Sequence, residues 1–336
     1  METAGPDGQD APSRPDPIVP AFESEDAYLE AVMYLEPWQG VIAAIVEREA
    51  IAFDGEPVVK TDYKAPMFHL PPDHYLKLFL DWRDRPRSFA AERAAYRIVA
   101  ADPGLPVPTL VADGYVGATC RYLVITRIAG QSLRSMRDTI SLDEMIGIAT
   151  WTGEFMRRIH SVPIDAHERR TGWEAFSARM QMSRRSTVRS MTKRGALTPR
   201  LISQLDAWLP SAEEMLGEEK DAVLVHGALR YEHVYVDRVD GTYVPSGVID
   251  LGSARVAHPM FDLTNIWSRL HGEPPEVGEH LLATAGLPDY GSDFPRMALA
   301  WAIIQRWTKI FTLPDIEDIA TLDELAQRIY APRLRR

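Results

Sequence analysis

The chain has 336 residues, of which 46% are hydrophobic and 25% charged, an ordinary composition for a soluble globular protein and a length that allows two lobes with separate cores. Its net charge of −11 argues against a nucleic-acid-binding protein, which needs a basic surface, and no apolar run approaches the ~18 residues that would cross a membrane. The N-terminus lacks the basic and apolar regions of a secretory signal, and the single cysteine, Cys120, excludes a disulfide within the chain and suits the reducing cytoplasm.

The N-terminal part divides into a tail and the start of a lobe. Residues 1–22 are rich in Pro, Gly and Asp with few apolar anchors, which predicts a disordered tail. A helical pattern follows, with Ser24 as its cap. Short apolar runs at 51–53 and 58–60 flank Asp54-Gly55, and this pattern predicts a β-hairpin.

Residues 74–82, HYLKLFLDW, alternate in polarity as a strand does. The three leucines share one face, and Lys77 lies on the other. The next predicted helix, 88–100 with Ser88 as its cap, carries Glu92, which is placed to pair with Lys77. A solvated strand lysine and a surface helix glutamate are the alternative interpretation, because most charged side chains lie on solvated surfaces.

Helical patterns dominate from about residue 140. Ser141 and Glu144 predict a capping box for a helix that Pro163 ends. Further helices are predicted at about 276–286, 293–312 and 321–331. The predicted fold class is α+β with two lobes. They are an N-lobe of strands and helices at 23–129 and a mostly helical C-lobe at 130–336.

A strand, loop and hairpin interrupt the helical half at 222–252. The apolar run AVLV leads into His226-Gly227, and the hairpin ends at Asp250-Leu251-Gly252. A carboxylate at a strand end, before a glycine, is well placed to hold Mg²⁺. A turn aspartate and a buried histidine bonded to the backbone are the plain alternatives.

The order of these features resembles the aminoglycoside phosphotransferase family, whose members have a protein-kinase-like fold. The family's loop reads roughly H-G-D-x-x-x-x-N, followed by a hairpin, I-D-[FWL]-G and D-P-x-x-D-L. This chain has HGALRYEHVYVD, GVIDLGS and HPMFDL, and it also has the family-like VITRIAGQSL and GEFMRRIHSVP. The resemblance covers roughly residues 40–310, although no glycine-rich phosphate loop is evident between 48 and 62.

The resemblance implies a nucleotide-dependent O-phosphotransferase that uses ATP (or GTP) and Mg²⁺. Its small-molecule acceptor would be the hydroxyl of an antibiotic or another natural product. Lys77 would contact the nucleotide phosphates, and Glu92 would hold Lys77. The backbone of Thr126–Ile128 would bond the adenine.

The resemblance also assigns roles on the catalytic loop. Asp250 would ligate Mg²⁺, and His226 and Asp262 would be scaffold residues that tie the loop in place. His233 falls at the family's metal-binding asparagine, a position where members resembling macrolide phosphotransferases carry histidine. Ala228 falls at the catalytic aspartate, which accepts the proton of the acceptor hydroxyl.

Ala228 therefore predicts slow transfer with nucleotide and metal binding intact. Glu232 or Asp237 would replace the missing base only if the loop bends unusually. Two explanations stay open. One is an otherwise active phosphotransferase in which the alanine was introduced deliberately, and the other is a natural pseudo-phosphotransferase that binds a nucleotide or small molecule.

A helical acceptor-binding insert is expected at about 164–215. Its basic residues between 168 and 200 are Arg169, Arg170, Arg179, Arg184, Arg185, Arg189, Lys193, Arg194 and Arg200, against two glutamates. A polycationic aminoglycoside needs an acidic pocket, so this segment favours a neutral, apolar or anionic acceptor. Trp173, Phe176, Met180 and Met182, together with Trp301 and Trp307 on a predicted helix near the C-terminus, are expected to add apolar contact surface. A solvated helix face with the aromatic residues in the core is the alternative.

Overall fold

The computed structural model describes residues 18–61, 65–80, 85–270, 272–306, 313 and 315–330. Contacts divide them into two compact units. The first unit comprises the described residues up to Arg93 together with Thr109–Arg127. The second comprises Ala94–Pro108 and the described residues from Ile128 onward. The two-lobed α+β fold is confirmed, but residues 94–108 join the second unit instead of the predicted N-lobe.

The strands within the described residues are β1 (Val58–Val59), β2 (Met67–Leu70), β3 (His74–Leu80), β4 (Leu110–Val116), β5 (Cys120–Thr126), β6 (Gln131–Ser132), β7 (Val223–Val225), β8 (Val234–Val239), β9 (Thr242–Val248) and β10 (Arg255–Ala257).

The α-helices are α1 (Glu25–Ala31), α2 (Gln39–Glu49), α3 (Arg85–Val99), α4 (Leu133–Met136), α5 (Leu142–His160), α6 (Ala166–Arg185), α7 (Thr187–Arg194), α8 (Pro199–Ile202), α9 (Leu205–Trp208), α10 (Ala212–Leu216), α11 (Met260–Leu270), α12 (Pro275–Thr284), α13 (Phe294–Ile304) and α14 (Leu322–Tyr330).

The first unit is built on an antiparallel sheet in the order β1-β2-β3-β5-β4. On the central strand β3, the predicted leucine face is buried in one core cluster with Trp38 and residues of α2. The other face is also covered, because the ring of Phe79 packs 5.5 Å from that of Phe89 on α3. Residues two apart on a strand and three apart on a helix share a face. The Phe79–Phe89 contact therefore places Lys77 beside Glu92.

The predicted hairpin around Asp54-Gly55 is wrong, because β1 pairs with β2, with Val58 opposite His69. Residues 51–53 form no strand. They follow the C-terminal cap of α2 instead. Ala50 takes a left-handed conformation (φ 51°), and the Ile51 amide donates to the Val46 carbonyl of the last helical turn.

Of the two predicted serine caps in this unit, one is confirmed. Ser24 Oγ accepts from the Ala27 amide at 3.1 Å, at the start of α1. Ser88 does not cap α3, which begins at Arg85. The Arg85-Pro86 sequence explains the earlier start, because proline is favoured in the first helical turn.

The last residues of the predicted tail at 1–22 are part of the first unit. Val19 is buried, and the Phe22 ring lies 5.4 Å from that of Tyr28 and 5.8 Å from that of Trp38. Residues 1–17 lie outside the described residues.

The second unit is mostly helical. The predicted capping box of α5 is present, with the Ser141 amide donating to Glu144 Oε2 at 2.8 Å and Ser141 Oγ accepting from the Glu144 amide at 3.3 Å. Helices α6 to α10 lie in the range predicted for a helical insert, and α12, α13 and α14 fall where helices were expected. Residues 307–312, which the prediction gave to α13, lie outside the described residues.

Two small antiparallel sheets carry the loop segment of the second unit. Strand β7 pairs with β10, and β8 lies between β6 and β9. The turn between β8 and β9 has positive φ at Asp240 (50°) and Gly241 (85°), the requirement of a two-residue hairpin turn that matches strand twist.

Among the described residues, no single helix is long and apolar enough to span a membrane. Glu25–Ala31 and Glu36–Glu49, which meet at a 95° bend, pass that test only when they are taken together.

Candidate active site

In the first unit, Lys77 and Glu92 form a close ion pair. Lys77 Nζ lies 2.6 Å from Glu92 Oε2, and the two side chains are 13% and 3% exposed. Lys77 stands on the central strand, opposite Met67 on β2 and Leu123 on β5. Separating a charge pair this buried would leave each charge without a partner away from water, which is costly. Glu92 therefore holds the Lys77 ammonium in one place.

Thr126, at the end of β5, already uses its amide. That amide donates to the Thr109 carbonyl at 2.9 Å, and Thr126 Oγ1 accepts from the Thr109 amide at 2.8 Å. The Arg127 amide likewise donates to the Asp73 carbonyl. In the Thr126–Ile128 segment, whose backbone is predicted to bond the adenine, only the Ile128 amide donates no hydrogen bond within the part of the chain that the structure describes.

In the second unit, Asp262 anchors the loop that begins at His226, the predicted catalytic loop. This fully buried residue of α11 accepts hydrogen bonds from the His226 and Gly227 amides, both at 2.8 Å. His160 Nε2, at the end of α5, is 3.2 Å from the same carboxylate. Burial opposes the charged form, but the hydrogen bonds from His160 and the Gly227 amide outweigh it and lower the pKa of Asp262. The first two residues of the loop are thus hydrogen-bonded to a carboxylate that stays negatively charged.

His226 links the loop to the strand end before Asp250. Its Nε2 lies 3.0 Å from the Ile249 carbonyl, and its Nδ1 accepts from the Ala228 amide at 3.3 Å. The Ala228 donor requires an unprotonated Nδ1, so the ring carries its proton on Nε2 and donates to Ile249. His226 therefore makes contacts on both sides of its ring, one to the loop and one to the residue before Asp250, which is compatible with the scaffold role that the resemblance implies.

Gly227 permits this arrangement because its backbone has φ 77° and passes close to Ser253. A Cβ atom at position 227 would lie 2.2 Å from the Ser253 carbonyl oxygen. No side chain fits there without moving the backbone, and the left-handed conformation also favours glycine.

His233 and Asp250 come together at the other end of the loop. His233 Nε2 is 3.5 Å from Asp250 Oδ2, and His233 Nδ1 is 2.7 Å from the Ala228 carbonyl. Because a carbonyl only accepts, the proton lies on Nδ1. Burial lowers the pKa of His233, against the opposing charge of Asp250, and favours the neutral ring.

These two residues could offer one nitrogen and one carboxylate to a divalent metal ion. Within the described part of the chain no group of three or more His, Cys, Asp or Glu is placed to hold a metal. Mg²⁺ in phosphoryl-transfer sites commonly takes one or two carboxylates, with nucleotide phosphates and water completing its shell, so Asp250 fits that ion. His233 suits a metal that accepts nitrogen more readily.

Neither proposed substitute for the missing base is set up to act as one. Glu232 Oε1 is bound by Arg269 and, at 3.1 Å, by Arg134. Although burial opposes its charged form, its own amide and the neighbouring arginines lower the pKa of Glu232, which weakens it as a base. Asp237 lies on β8 and accepts from the Arg238 amide.

The aromatic residues expected to form an acceptor surface are in the core instead. Trp173, Phe176, Met180 and Trp301 are buried, while Met182 is exposed. They pack inward because α6 lies against β10, where a Cβ on Gly172 would be 2.7 Å from Val256 Cβ. Most of the insert's basic side chains are exposed, as the alternative interpretation held.

The comparison with known families decides the lineage. The family model described as "Phosphotransferase enzyme family" matches residues 75–299, which is more than half of the chain. The chain belongs to this family. The matched range runs from β3, which carries Lys77, to α13 and contains each of the site residues described above.

Solved structures similar to this family member share its fold. One is the GDP complex of wild-type aminoglycoside 2'-phosphotransferase-IIIa, 13% identical, with a TM-score of 0.55 over 87% of this chain and 97% of that chain. Another is the streptomycin–ATP–APH(2")-IIa ternary complex, 16% identical, with a TM-score of 0.50 over 87% and 98%. A third is aminoglycoside phosphotransferase APH(3'')-Id from Streptomyces rimosus with ADP and streptomycin, 22% identical, with a TM-score of 0.50 over 79% and 98%.

The sequence alone did not assign His160 or Arg255 a role in the site. His160 closes a predicted helix, and its contact with Asp262 spans two distant segments. Arg255 lies near the loop only because β10 pairs with β7. A histidine at a helix end is a weak signal for the first, and nothing in the sequence singles out the second.

Proposed function

We propose that this protein is a nucleotide-dependent phosphotransferase for the hydroxyl of a small molecule, with a transfer step that Ala228 slows. The proposal is carried by the His233–Asp250 pair at the end of a loop that Asp262 fixes. The structures of similar fold contain GDP, ATP or ADP, which supports nucleotide binding by this chain.

The side chains divide the work of phosphoryl transfer. Lys77, held by Glu92, neutralises phosphate charge, and Asp250 with His233 holds a divalent ion. When bound, that ion would neutralise charge on the nucleotide phosphates. The Ile128 amide would donate a hydrogen bond to the adenine. His226, Gly227 and Asp262 hold the backbone of position 228, at which an aspartate would receive the hydroxyl proton.

Ala228 cannot receive a proton, and Glu232 is held by arginines. General-base help is typically worth ~10²–10⁴-fold in rate, while binding of the nucleotide does not depend on it. We therefore expect this chain to bind the nucleotide about as tightly as a member with aspartate at this position, and to turn over far more slowly.

The acceptor is a natural product, such as an antibiotic, other than a polycationic aminoglycoside. The exposed basic side chains of the insert would repel a polycation. His233 is shared with members that resemble macrolide phosphotransferases, which makes macrolides the first compounds to test. The aminoglycosides named with the similar structures belong in the same panel as comparison compounds.

Calorimetry of the full chain with ATP and with GTP, each with Mg²⁺ or Mn²⁺, tests the proposal. We expect a Kd of about millimolar or tighter that Asp250→Ala and Lys77→Ala each weaken at least about tenfold. Asp237→Ala, on the neighbouring hairpin, should leave it unchanged. Absence of metal-dependent binding to either nucleotide would overturn the proposal.

A second candidate is a protein of the same fold that binds a nucleotide without transferring its phosphoryl group, and Ala228 favours it. Mass spectrometry of acceptors incubated with this chain and its Ala228→Asp variant separates the two. A phosphorylated product with either protein supports the phosphotransferase. Nucleotide binding without product from either protein supports the second candidate.

A further inference from the structure

Two arginines of the second unit, one of them next to the catalytic loop, have no carboxylate partner in an ion pair among the described residues. Arg255 begins β10, and Arg179 lies on α6. Neither guanidinium forms an ion pair with any residue that the structure describes. Arg255 is half-buried, and a charge that is partly withdrawn from water without a carboxylate partner is costly, whereas Arg179 is exposed.

Arg255 is held against the loop. Its Nε donates to the Ser253 carbonyl at 2.8 Å, and its guanidinium carbon lies 5.5 Å from the centre of the Phe261 ring. A Cβ atom at Gly227 would lie 3.4 Å from Arg255 Nε. The charge therefore lies next to the residue that precedes Ala228, with the other nitrogens of the guanidinium left to bind.

Arg179, on α6, is linked to Arg255 through two aromatic rings. Its guanidinium carbon is 5.7 Å from the centre of the Phe176 ring, and the Phe176 and Phe261 rings are themselves 5.7 Å apart. The two arginines thus lie on two phenylalanines that contact each other. The close approach of Gly172 to Val256 fixes the helix that carries Arg179 against the strand that carries Arg255.

The positive charges of the two arginines oppose each other. Burial lowers the pKa of Arg255, and the positive charge of Arg179 lowers it further. Asp262 opposes this effect, so its single negative charge offsets one of the two positive charges. An anion between the guanidinium groups would relieve this repulsion and would be bound through charge-assisted hydrogen bonds.

The neighbouring acids do not fill this role. Asp250 faces His233, and Glu232 is bound by Arg134 and Arg269. Alanine at position 228 also removes the carboxylate that the family carries next to Gly227. Positive charge is consequently in excess on this side of the loop.

We propose that Arg255 and Arg179 bind an anionic group of the acceptor, a carboxylate, a sulfate or a phosphate ester, beside Ala228. This inference rests on the proposed function, because it takes the acceptor hydroxyl to lie at position 228. It narrows the class of acceptor from any natural product to a hydroxylated compound that carries a carboxylate, a sulfate or a phosphate ester. The acceptor is bound here through its charge, whereas an aminoglycoside would be repelled.

The test is calorimetric titration of the full chain with sulfate, inorganic phosphate and malonate at constant ionic strength. All titrations use the Lys77→Ala background, so that binding at the predicted nucleotide phosphate site does not contribute. At least one of the three anions should bind, and the preferred one identifies the acceptor group as sulfate, phosphate or carboxylate. Arg255→Gln and Arg179→Gln should each weaken this binding about tenfold or more.

Arg185→Gln, an exposed change on the same helix, is the matched control and should leave the affinity unchanged. Arg255→Lys keeps the charge and the packing stem but loses the forked donor group, so we expect an intermediate affinity. No binding of any of the three anions, or binding that both glutamine variants retain, would overturn the inference. ATP binding lost in Asp250→Ala would still support the proposed function, so the two failures are distinguishable.

Discussion

His233 Nε2 lies 3.5 Å from Asp250 Oδ2, while Nδ1 of the same ring donates to the Ala228 carbonyl. The imidazole therefore turns a lone pair, and not a proton, toward the carboxylate. Two electron-rich atoms at this distance repel each other unless a cation is shared between them. A metal that accepts both nitrogen and oxygen matches the pair better than Mg²⁺, which prefers oxygen.

We expect Mn²⁺ to bind about tenfold or more tightly than Mg²⁺ in the presence of ADP, because Mn²⁺ accepts an imidazole nitrogen more readily. His233→Asn should reduce this ratio, since an amide oxygen suits Mg²⁺. Competition calorimetry at fixed ADP measures the ratio. His280→Asn, which changes a histidine on α12, is the control. An unchanged ratio in His233→Asn would contradict the prediction.

Ala228→Asp should raise the rate of phosphoryl transfer at least about 100-fold, because it restores a proton acceptor on a loop whose backbone is already fixed. Product formation from ATP or GTP with a panel of hydroxylated compounds measures this gain. Ala228→Asn, similar in size and unable to accept the proton as a base, should show no such gain. If the aspartate variant phosphorylates nothing in the panel, the lost-base explanation is wrong.

Gly227→Ala should lower the free energy of unfolding by about 3 kcal/mol or more, because the methyl group meets the Ser253 carbonyl as well as a left-handed backbone. Gly195→Ala is the matched control. It has φ 58° with nothing within 4 Å of the added atom, so we expect a cost of only about 1 kcal/mol. Urea denaturation of both variants measures the difference. Equal losses would mean that the loop relaxes away from Ser253.

Stability should also depend on His258. Burial lowers the pKa of His258 to about 4, against the opposing charge of Asp221, and the unfolded chain titrates near ~6.5. Between these values the unfolded state takes up a proton that the folded state refuses. The free energy of unfolding should therefore fall by about 3 kcal/mol as the pH drops from about 6.5 to about 4, and this contribution should not change further below that.

His258→Asn tests this dependence, because the amide oxygen can still accept from the Met260 amide as His258 Nδ1 does. The variant should lose part of the pH dependence between pH ~7 and ~5 in urea unfolding, since it has no group that titrates there. Identical slopes for the two proteins would show that other groups account for the dependence.

The parts of the site that the sequence revealed follow from local rules. Strand alternation put Lys77 on one face of β3, and the next helix carried Glu92 within reach of it. Ser141 and Glu144 cap α5 because both partners lie within one turn. The loop was recognised because His226, His233 and Asp250 follow the order of the motif that the sequence resembles, and the structure brings His233 and Asp250 within 3.5 Å of each other.

The errors arose where distant packing decides the structure. The apolar residues 51–53 end a helix because Ala50 turns left-handed, which composition does not reveal. Trp173 and Phe176 suggested an adaptable surface, but the seating of α6 on β10 buries both. Arg255 comes next to Gly227 only through the pairing of β7 with β10, so a one-dimensional pattern gives no sign of it.

Residues 94–108 are flanked by stretches of the first unit but fold with the second. Asp102 bonds Arg158 Nη2 on α5 at 2.6 Å, and the Pro106 carbonyl accepts from the Val248 amide at 2.8 Å. A gene crossover between relatives at the end of β5 would therefore exchange more than one lobe. It would combine Asp102 and Pro106 from one parent with Arg158 and Val248 from the other, so such hybrids require compatible parents or two further crossovers around this segment.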